Sequence, residues 1–197
     1  MRKRRPGFRG KKNAVIRLYR NPPTDGPVVC FDELGPLQTI PRGGKGWGTQ
    51  AALRPDRYSR KHGTLQFFAA FCPQTGKAVG RGTSKKSSEH CRAFFDEVVL
   101  KTWRRGRIHL ILDNLSAHKA PPVTEWTPKH AERIKFHWLP TNSSWLNLIE
   151  SYFATLERTC LQNTHYKTPA EIEEGLQGGI RYLNQHPRPY VWRKPQI

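Results

Sequence analysis

The apolar positions of this chain fall into short runs separated by turn residues. Runs rich in β-branched and aromatic residues predict strands at Val28–Phe31, Leu37–Ile40, Thr64–Phe71, Lys77–Gly82, Ile108–Leu112 and Ile134–Leu139. Gly35-Pro36 predicts a turn that joins the first two runs into a hairpin. The run Ile108–Leu112 is almost entirely apolar, which is typical of a strand buried on both faces of a sheet.

Apolar residues spaced three and four apart predict helices between and after the strands. These helices cover residues 89–103 after an N-cap at Ser88, residues 121–130 with a break at proline, and residues 144–161. Thr168-Pro169-Ala170-Glu171 is a capping box with proline at the first helical position, and it begins the last helix. Strands followed by alternating helices and strands predict an α/β domain with a mixed central sheet.

The excess of basic over acidic residues indicates what kind of partner the protein binds. The chain has 34 Lys+Arg against 15 Asp+Glu, a formal net charge of +19, yet 36% of its residues are hydrophobic and 11% aromatic. Such a composition excludes simple disorder and indicates a folded protein with a polyanionic partner. Because seven of the first twelve residues are basic, we interpret residues 1–27 as a mobile basic arm and residues 28–197 as the folded domain.

A second basic segment lies between the predicted strands. Residues 41–63 hold five glycines and one acid, Asp56, and predict a long loop of the kind that often carries function. The residues we expect to contact DNA from the arm and this loop are Arg2, Lys3, Arg4, Arg5, Arg42, Lys45, Arg57, Arg60 and Lys61. A solubilising terminus is the simpler alternative for the arm.

Other classes of protein find little support in the sequence. The cysteines at 30, 72, 91 and 160 form no zinc or disulfide motif, so we expect thiols in a reducing compartment. The early apolar stretch Ala14–Tyr19 contains Arg17 and is too short for a signal sequence or a membrane span. We therefore expect an unexported protein with no membrane partner.

Three carboxylates occupy positions where a simple surface role does not suffice. Asp32 ends the run VVCF, Asp113 ends IHLIL, and Glu150 follows an apolar stretch inside a predicted helix. If the two strands are neighbours and the helix packs across them, the three acids converge. Clustered carboxylates repel one another, and two Mg²⁺ or Mn²⁺ ions would relieve that repulsion and support displacement at phosphorus.

Each acid also has a structural alternative. Asp113-Asn114 alone is typical of a turn, and Glu150 alone suits the solvated edge of an amphipathic helix. Asp96 and Glu97 also have apolar neighbours, and we assign them to the exposed face of their helix. Glu33 would point to the sheet face opposite Asp32 if the strand continues.

The context of the three acids resembles the DDE transposases of bacterial insertion sequences in the mariner-like superfamily. The resemblance runs from about Val28 to Trp192 and rests on FDE at 31–33, LILDNLSAH at 110–118 and LPTNSSWLNLIESYF at 139–153. The motifs DNxxxH and SWLNxxE, with 36 residues between Asp113 and Glu150, are jointly specific although each is weak alone.

The resemblance implies a ribonuclease-H-like fold with a mixed five-stranded sheet flanked by helices. It further implies metal-dependent cleavage of double-stranded DNA at the element's ends and transfer of the freed 3′-hydroxyl into target DNA. The three family acids fall on Asp32, Asp113 and Glu150, as catalytic and metal-binding residues. Asn114 either orients Asp113 by hydrogen bonding or is a capping residue. His118 either approaches the metal site or DNA, or is a packing residue. Trp145 and Asn147 are expected to position the helix that carries Glu150.

One departure from the family concerns the N-terminus. Relatives carry helix-turn-helix modules, and fewer than 30 residues precede the first strand here. We expect a fragment, a separately encoded half with a separate helix-turn-helix subunit, or a decayed copy. A homodimer and a location at the bacterial nucleoid in the cytoplasm also follow from the resemblance.

Two other functions stay open from the sequence. A catalytically inactive remnant would bind DNA non-specifically through its charge, and a cellular ribonuclease-H-like nuclease would cut RNA or hybrids. A Ser–His–Asp hydrolase is disfavoured, because Ser116 has no nucleophile-elbow glycines around it.

Overall fold

The computed structural model describes residues 7–40 and 63–192 of the 197-residue chain. Its strands are β1 (Val28–Gln38), β2 (Thr64–Cys72), β3 (Lys77–Thr83), β4 (Ile108–Leu112) and β5 (Ile134–Trp138). They form one sheet in the order β3-β2-β1-β4-β5. Strand β2 is antiparallel to β1 and β3, whereas β4 is parallel to β1 and β5. The prediction of a mixed five-stranded sheet is therefore confirmed.

Helices cover both faces of the sheet. They are α1 (Phe8–Arg20), α2 (Ser88–Phe94), α3 (Leu100–Thr102), α4 (Pro121–Thr124), α5 (Trp126–Lys129), α6 (Leu148–Cys160) and α7 (Pro169–Gln185). A π-helical turn, Phe95–Val99, joins α2 to α3, and 3₁₀ turns cover Ser116–Lys119 and Ser144–Leu146. The capping box is confirmed at α7, where the Thr168 side chain accepts a hydrogen bond from the Glu171 N–H. None of the described helices combines the length and the apolar character needed to cross a membrane.

The predicted hairpin at residues 28–40 is wrong. These residues form the single strand β1, and its pairing with β2 shifts register between Leu34 and Leu37. Gly35, at a φ of 131°, lies inside this irregularity together with Pro36. A bulge of this kind accommodates a proline, which has no N–H to donate, within a central strand. A Gly-Pro pair that is typical of a turn therefore marks a bulge here.

The interpretation of residues 1–27 as a mobile arm missed a helix. Residues Phe8–Arg20 form α1, whose Val15 is 2% exposed and belongs to the main core. The Tyr19 hydroxyl donates to the Leu146 carbonyl oxygen at 2.9 Å. The basic residues on the outer face of this helix hid its apolar spacing, because they outnumber the residues that it buries. The boundary between an arm and a domain at residue 28 stays a prediction.

Two apolar clusters lie on the two faces of the sheet. One cluster packs α1, α6 and α7 against residues such as Cys30 and Ile111. The other packs α2, the π turn, α4 and α5 against residues such as Phe31 and Leu112. Alternate residues of β1 and β4 therefore face different helices, as the strand period of two requires. All four cysteines are thiols, three of them buried, which agrees with the sequence analysis.

A histidine pair lies on the sheet away from the three acids. The His109 Nδ1 atom lies 3.0 Å from His137 Nε2, and His109 Nε2 lies 2.9 Å from Asp25 Oδ1. Burial, followed by the charges of His109, Lys135 and Arg107, lowers the pKa of His137 to about 4. Protonation of His137 is therefore unfavourable in the folded chain.

This pair makes stability depend on pH. Since the pKa of His137 falls from 6.5 when unfolded to about 4 when folded, the unfolded state binds more protons between these values, and stability falls as pH drops from 6.5 to 4. Urea unfolding measured across this pH range should show that the free energy of unfolding of His137→Gln depends less steeply on pH than that of the wild type. His165→Gln, at an exposed position, is the control and should keep the wild-type slope. An unchanged slope in the His137 variant would contradict this account.

The contact of α1 with the Leu146 carbonyl gives a second prediction. Tyr19→Phe removes the hydroxyl that pairs with a partly buried carbonyl, so it should lower the free energy of unfolding by about 1 kcal/mol. Chemical denaturation measures this loss. Tyr182→Phe, at a tyrosine 55% exposed, should leave the midpoint unchanged. Equal midpoints for the two variants would mean that the hydrogen bond contributes nothing.

Candidate active site

Asp32 and Asp113 lie on adjacent parallel strands. Cys30 pairs with Ile111 in the β1–β4 register, and continuing this register by two residues sets Asp32 beside Asp113. Strand alternation directs Asp32 to the face that carries Cys30 and Ile111, whereas Asp113 directly follows the last residue of β4 and its carboxylate lies 2.9 Å from His118 Nδ1. Helix α6 packs on this same face through the buried Ile149. The sheet thus brings two of the predicted acids to one edge, beneath the helix that carries the third.

The start of α6 is hydrogen-bonded to β1 next to Asp32. Asn147 is 1% exposed, and its side-chain amide donates to the Phe31 carbonyl oxygen at 3.0 Å and to Asp32 Oδ2 at 3.2 Å. Glu150 lies in the first turn of α6, three residues further on, and is exposed. The predicted positioning role of Asn147 has this direct geometric basis.

The electrostatics of the three acids couple them. Burial is the main cause that raises the pKa of Asp32 to about 7, and the charges of Glu33, Asp113 and Glu150 raise it further. The Glu33 N–H donates to Asp32 Oδ1 at 2.9 Å and acts in the opposite direction. Burial and then Asp113 raise the pKa of Glu150. Burial and the neighbouring charges therefore make Asp32 and Glu150 costly to ionise.

The three acids do not form a preassembled metal site. Within residues 7–40 and 63–192, the carboxylate, histidine and cysteine side chains make no group of three that would hold a metal ion. Their donor chemistry nevertheless fits a hard divalent cation, because carboxylate oxygen is the ligand that Mg²⁺ and Mn²⁺ take. Burial and, after it, the like charges of Glu33, Asp113 and Glu150 raise the pKa of Asp32, and a cation of this kind would offset both effects.

His118 links Asp113 to a fourth acid, Glu33. The His118 Nε2 atom lies 2.6 Å from Glu33 Oε1, and His118 Nδ1 lies 2.9 Å from Asp113 Oδ1. Burial favours the neutral ring, but Asp113 and Glu33 outweigh it and raise the pKa of His118 to about 9. The ion pair with His118 in turn lowers the pKa of Asp113. A buried imidazolium therefore keeps Asp113 ionised, whereas Asp32, with a pKa of about 7, is partly protonated at neutral pH.

Glu33 was missed as a site residue. Its predicted position on the face opposite Asp32 is correct, since it contacts His118, which packs on Phe31, and its side chain is only 4% exposed. A signal was present in the sequence: Glu33 follows directly on Asp32, and an acid in a buried strand needs a partner. The sequence alone does not identify that partner, because His118 lies 85 residues away in the chain.

The contacts of Asn114 and Trp145 lie beside the three acids, and their predicted roles stay predictions. Asn114 donates to the Leu139 carbonyl oxygen at 2.5 Å and accepts from Lys119 Nζ at 2.6 Å, so it ties β4 to the end of β5. A group that orients Asp113 is the Leu115 N–H, 2.9 Å from Asp113 Oδ1. Trp145 is 57% exposed, with its ring centroid 6.4 Å from that of Trp192.

A cavity of about 300 Å³ opens beside Asp113. It is lined by Asp113, Asn114, Leu115 and residues 139–144. All of the residues predicted to bind DNA, in contrast, lie outside the described residues: Arg2, Lys3, Arg4, Arg5, Arg42, Lys45, Arg57, Arg60 and Lys61.

Asp96 and Glu97 occupy the exposed face to which they were assigned. Glu97 pairs with Arg81 at 2.8 Å, and Asp96 lies 3.8 Å from Arg92 on the next turn. About half of each carboxylate side chain is exposed. The assignment of Asp96 and Glu97 to the exposed face of their helix is therefore confirmed.

A mixed sheet in the order 3-2-1-4-5, with β1 and β4 parallel and helices on both faces, defines the ribonuclease-H-like fold class. A profile of the DDE superfamily endonucleases matches residues 27–173, and the chain belongs to that family. A search among curated proteins gave no match.

Solved structures of the Mos1 mariner transposase share this fold. Its paired-end complex with the left transposon end aligns at a TM-score of 0.60 and 13% identity over 90% of this chain. The paired-end complex with Mn aligns at 0.61 and 14% over 94%, and the strand transfer complex at 0.58 and 14% over 91%. This chain spans 58%, 61% and 58% of those three chains, in that order.

The His118 bridge predicts a large stability effect. His118→Gln leaves Glu33 buried without a cation, which should cost about 3–5 kcal/mol in urea unfolding at neutral pH. The double variant Glu33→Gln/His118→Gln buries no unpaired charge, so it should unfold at higher urea than His118→Gln alone. If the double variant loses as much free energy of unfolding as the two single variants lose together, the two residues are not coupled.

Proposed function

We propose that this chain is the catalytic domain of a DDE transposase that cuts DNA at the ends of a mobile element and transfers the freed 3′-hydroxyl to target DNA. In this proposal Asp32, Asp113 and Glu150 are the catalytic acids. The observation that carries it is the parallel β1–β4 register, which when continued sets Asp32 beside Asp113, with Asn147 tying the Glu150 helix to Asp32. Membership of the DDE endonuclease family supports the same assignment.

The three acids would hold two divalent ions, Mg²⁺ or Mn²⁺. Bound there, the ions would make the attacking oxygen a better nucleophile and neutralise charge on the leaving oxygen. The protein groups have separate tasks: Asn147 and the Glu33 N–H orient Asp32, while His118 and the Leu115 N–H orient Asp113. No protein nucleophile is needed, because water attacks first and the DNA 3′-hydroxyl second.

Double-stranded DNA, as element ends and as target, is the proposed partner. The net charge of +19 favours binding to phosphates by counterion release. The basic residues of segments 1–6 and 41–62 are the proposed contacts. The Mos1 relatives are described as complexes with a transposon end and as a strand transfer complex, and such paired-end assemblies suggest at least a homodimer here. Recognition of the ends would fall to a helix-turn-helix part, in the same chain or a separate subunit, at the bacterial nucleoid.

Substitution of the acids tests the catalytic assignment. Asp32→Asn, Asp113→Asn and Glu150→Gln should each reduce Mg²⁺-dependent nicking of duplex DNA about 100-fold or more, since several kcal/mol of transition-state stabilisation is lost. DNA affinity, measured by fluorescence anisotropy in EDTA, should stay within about twofold, because these residues do not supply the positive charge.

Asp96→Asn is the matched control, because it removes an exposed acid of the same chain and should nick at the wild-type rate. Wild-type nicking by Asp113→Asn would overturn the assignment. Salt-sensitive DNA binding by the wild type, without nicking in Mg²⁺ or Mn²⁺, would identify an inactive remnant. Faster cleavage of an RNA–DNA hybrid than of duplex DNA would instead favour a cellular ribonuclease-H-like nuclease.

A further inference from the structure

A second cavity, of about 370 Å³, is lined in part by the α6 residues Tyr152, Thr155 and Arg158. It is enclosed by α6, α7, the β2–β3 turn and the segment after α7, and we call it the α6–α7 cavity. Its lining residues are Gly76, Tyr152, Thr155, Arg158, Tyr182, Leu183, His186, Arg188 and Tyr190. None of them lines the cavity beside Asp113, so the two cavities are distinct.

The lining of this cavity is suited to an anion. The described residues that form it include two arginines and a histidine but no aspartate or glutamate. The Arg158 guanidinium donates to Thr155 Oγ1 at 3.2 Å, which leaves its other N–H groups directed elsewhere.

Aromatic and hydroxyl groups complete the lining. Tyr182 is 55% exposed and presents a ring at the cavity, in a tilted contact with His186. The Tyr190 hydroxyl lies 3.3 Å from Thr155 Oγ1. Tyr152 is 2% exposed, and its hydroxyl has no hydrogen-bond partner among the residues that the structure describes. An exposed ring beside cations and hydroxyls is the chemistry that binds one nucleotide, by stacking and by phosphate contacts.

The cavity wall is held in place by close backbone packing. A Cβ atom on Gly76, whose φ is 71°, would lie 2.5 Å from the Arg188 carbonyl oxygen. The Tyr190 N–H donates to the Pro73 carbonyl oxygen at 2.8 Å. The β2–β3 turn thus fixes the segment that carries Arg188 and Tyr190, and the lining is formed before any ligand arrives.

We infer that the α6–α7 cavity binds one nucleotide of a single DNA strand, with its phosphate at Arg158 and Arg188 and its base against Tyr182. The volume is at the lower end of the range for ligand sites, which suits a mononucleotide unit. A free nucleoside monophosphate has the same chemistry.

The choice of a strand over a free nucleotide rests on the proposed function. Thr155 follows Glu150 by five residues on α6, about 7.5 Å along the helix axis. This separation is comparable to two base-pair steps of duplex DNA, about 3.4 Å each. A strand cut at the acids would therefore reach the cavity within a few nucleotides of the cut.

Binding of a fluorescent 5′-phosphorylated oligothymidylate in EDTA tests this inference without any cleavage. Relative to the double variant Arg104→Ala/Arg105→Ala, which removes two exposed arginines elsewhere, Arg158→Ala/Arg188→Ala should bind the single strand roughly tenfold more weakly. Its affinity for duplex DNA should match that of the control. An oligonucleotide carrying 5-iododeoxyuridine should photocrosslink to Tyr182 in the wild type, as mapped by mass spectrometry.

Three results would overturn the inference. Equal single-strand affinity of the two double variants is one, and crosslinks confined to residues outside the cavity are another. Tighter binding of free thymidine monophosphate than of the oligonucleotide would reassign the cavity to a free nucleotide. None of these results depends on nicking, so loss of the cavity and loss of the catalytic assignment are separable.

Discussion

The buried amide of Asn147 is the contact on which the arrangement of the acids depends. It donates both to the backbone of β1 and to the carboxylate of Asp32, and thereby fixes the start of α6 against the sheet. Without it, α6 would be held against the sheet by apolar packing. Such packing sets the distance of the helix from the sheet but not the rotation of the helix about its own axis. A directional hydrogen bond in a buried place supplies what non-directional packing cannot.

The two strand acids are held in different ionisation states by their surroundings. Asp32 is buried among like charges and its pKa rises, whereas Asp113 is paired with a buried imidazolium and its pKa falls. Glu33 contributes to both effects, because it repels Asp32 and anchors His118. The site thus balances the cost of clustered acids with one internal cation, and a divalent ion would relieve the rest.

Helix α1 changes the meaning of the basic N-terminal region. The basic residues of this region predict an arm that binds DNA. The same region also carries Tyr19, whose hydroxyl donates to the Leu146 carbonyl oxygen in the turn before α6. The positive charge and the structural support belong to opposite faces of one helix. A single segment can therefore serve the surface and the core, because helical periodicity separates the two.

Most strands and helices could be predicted from the sequence, because local apolar periodicity is a property of neighbouring residues. The three acids could be selected as candidates for the same reason, since each lies beside an apolar run. The bulge at Gly35-Pro36, the helix α1 and the Glu33–His118 pair could not be predicted. Each depends on a partner far along the chain: β2 continues the pairing past Pro36, the core buries Val15, and His118 lies 85 residues from Glu33. The sequence determined which residues are costly to bury, and only the tertiary structure decided which partners offset that cost.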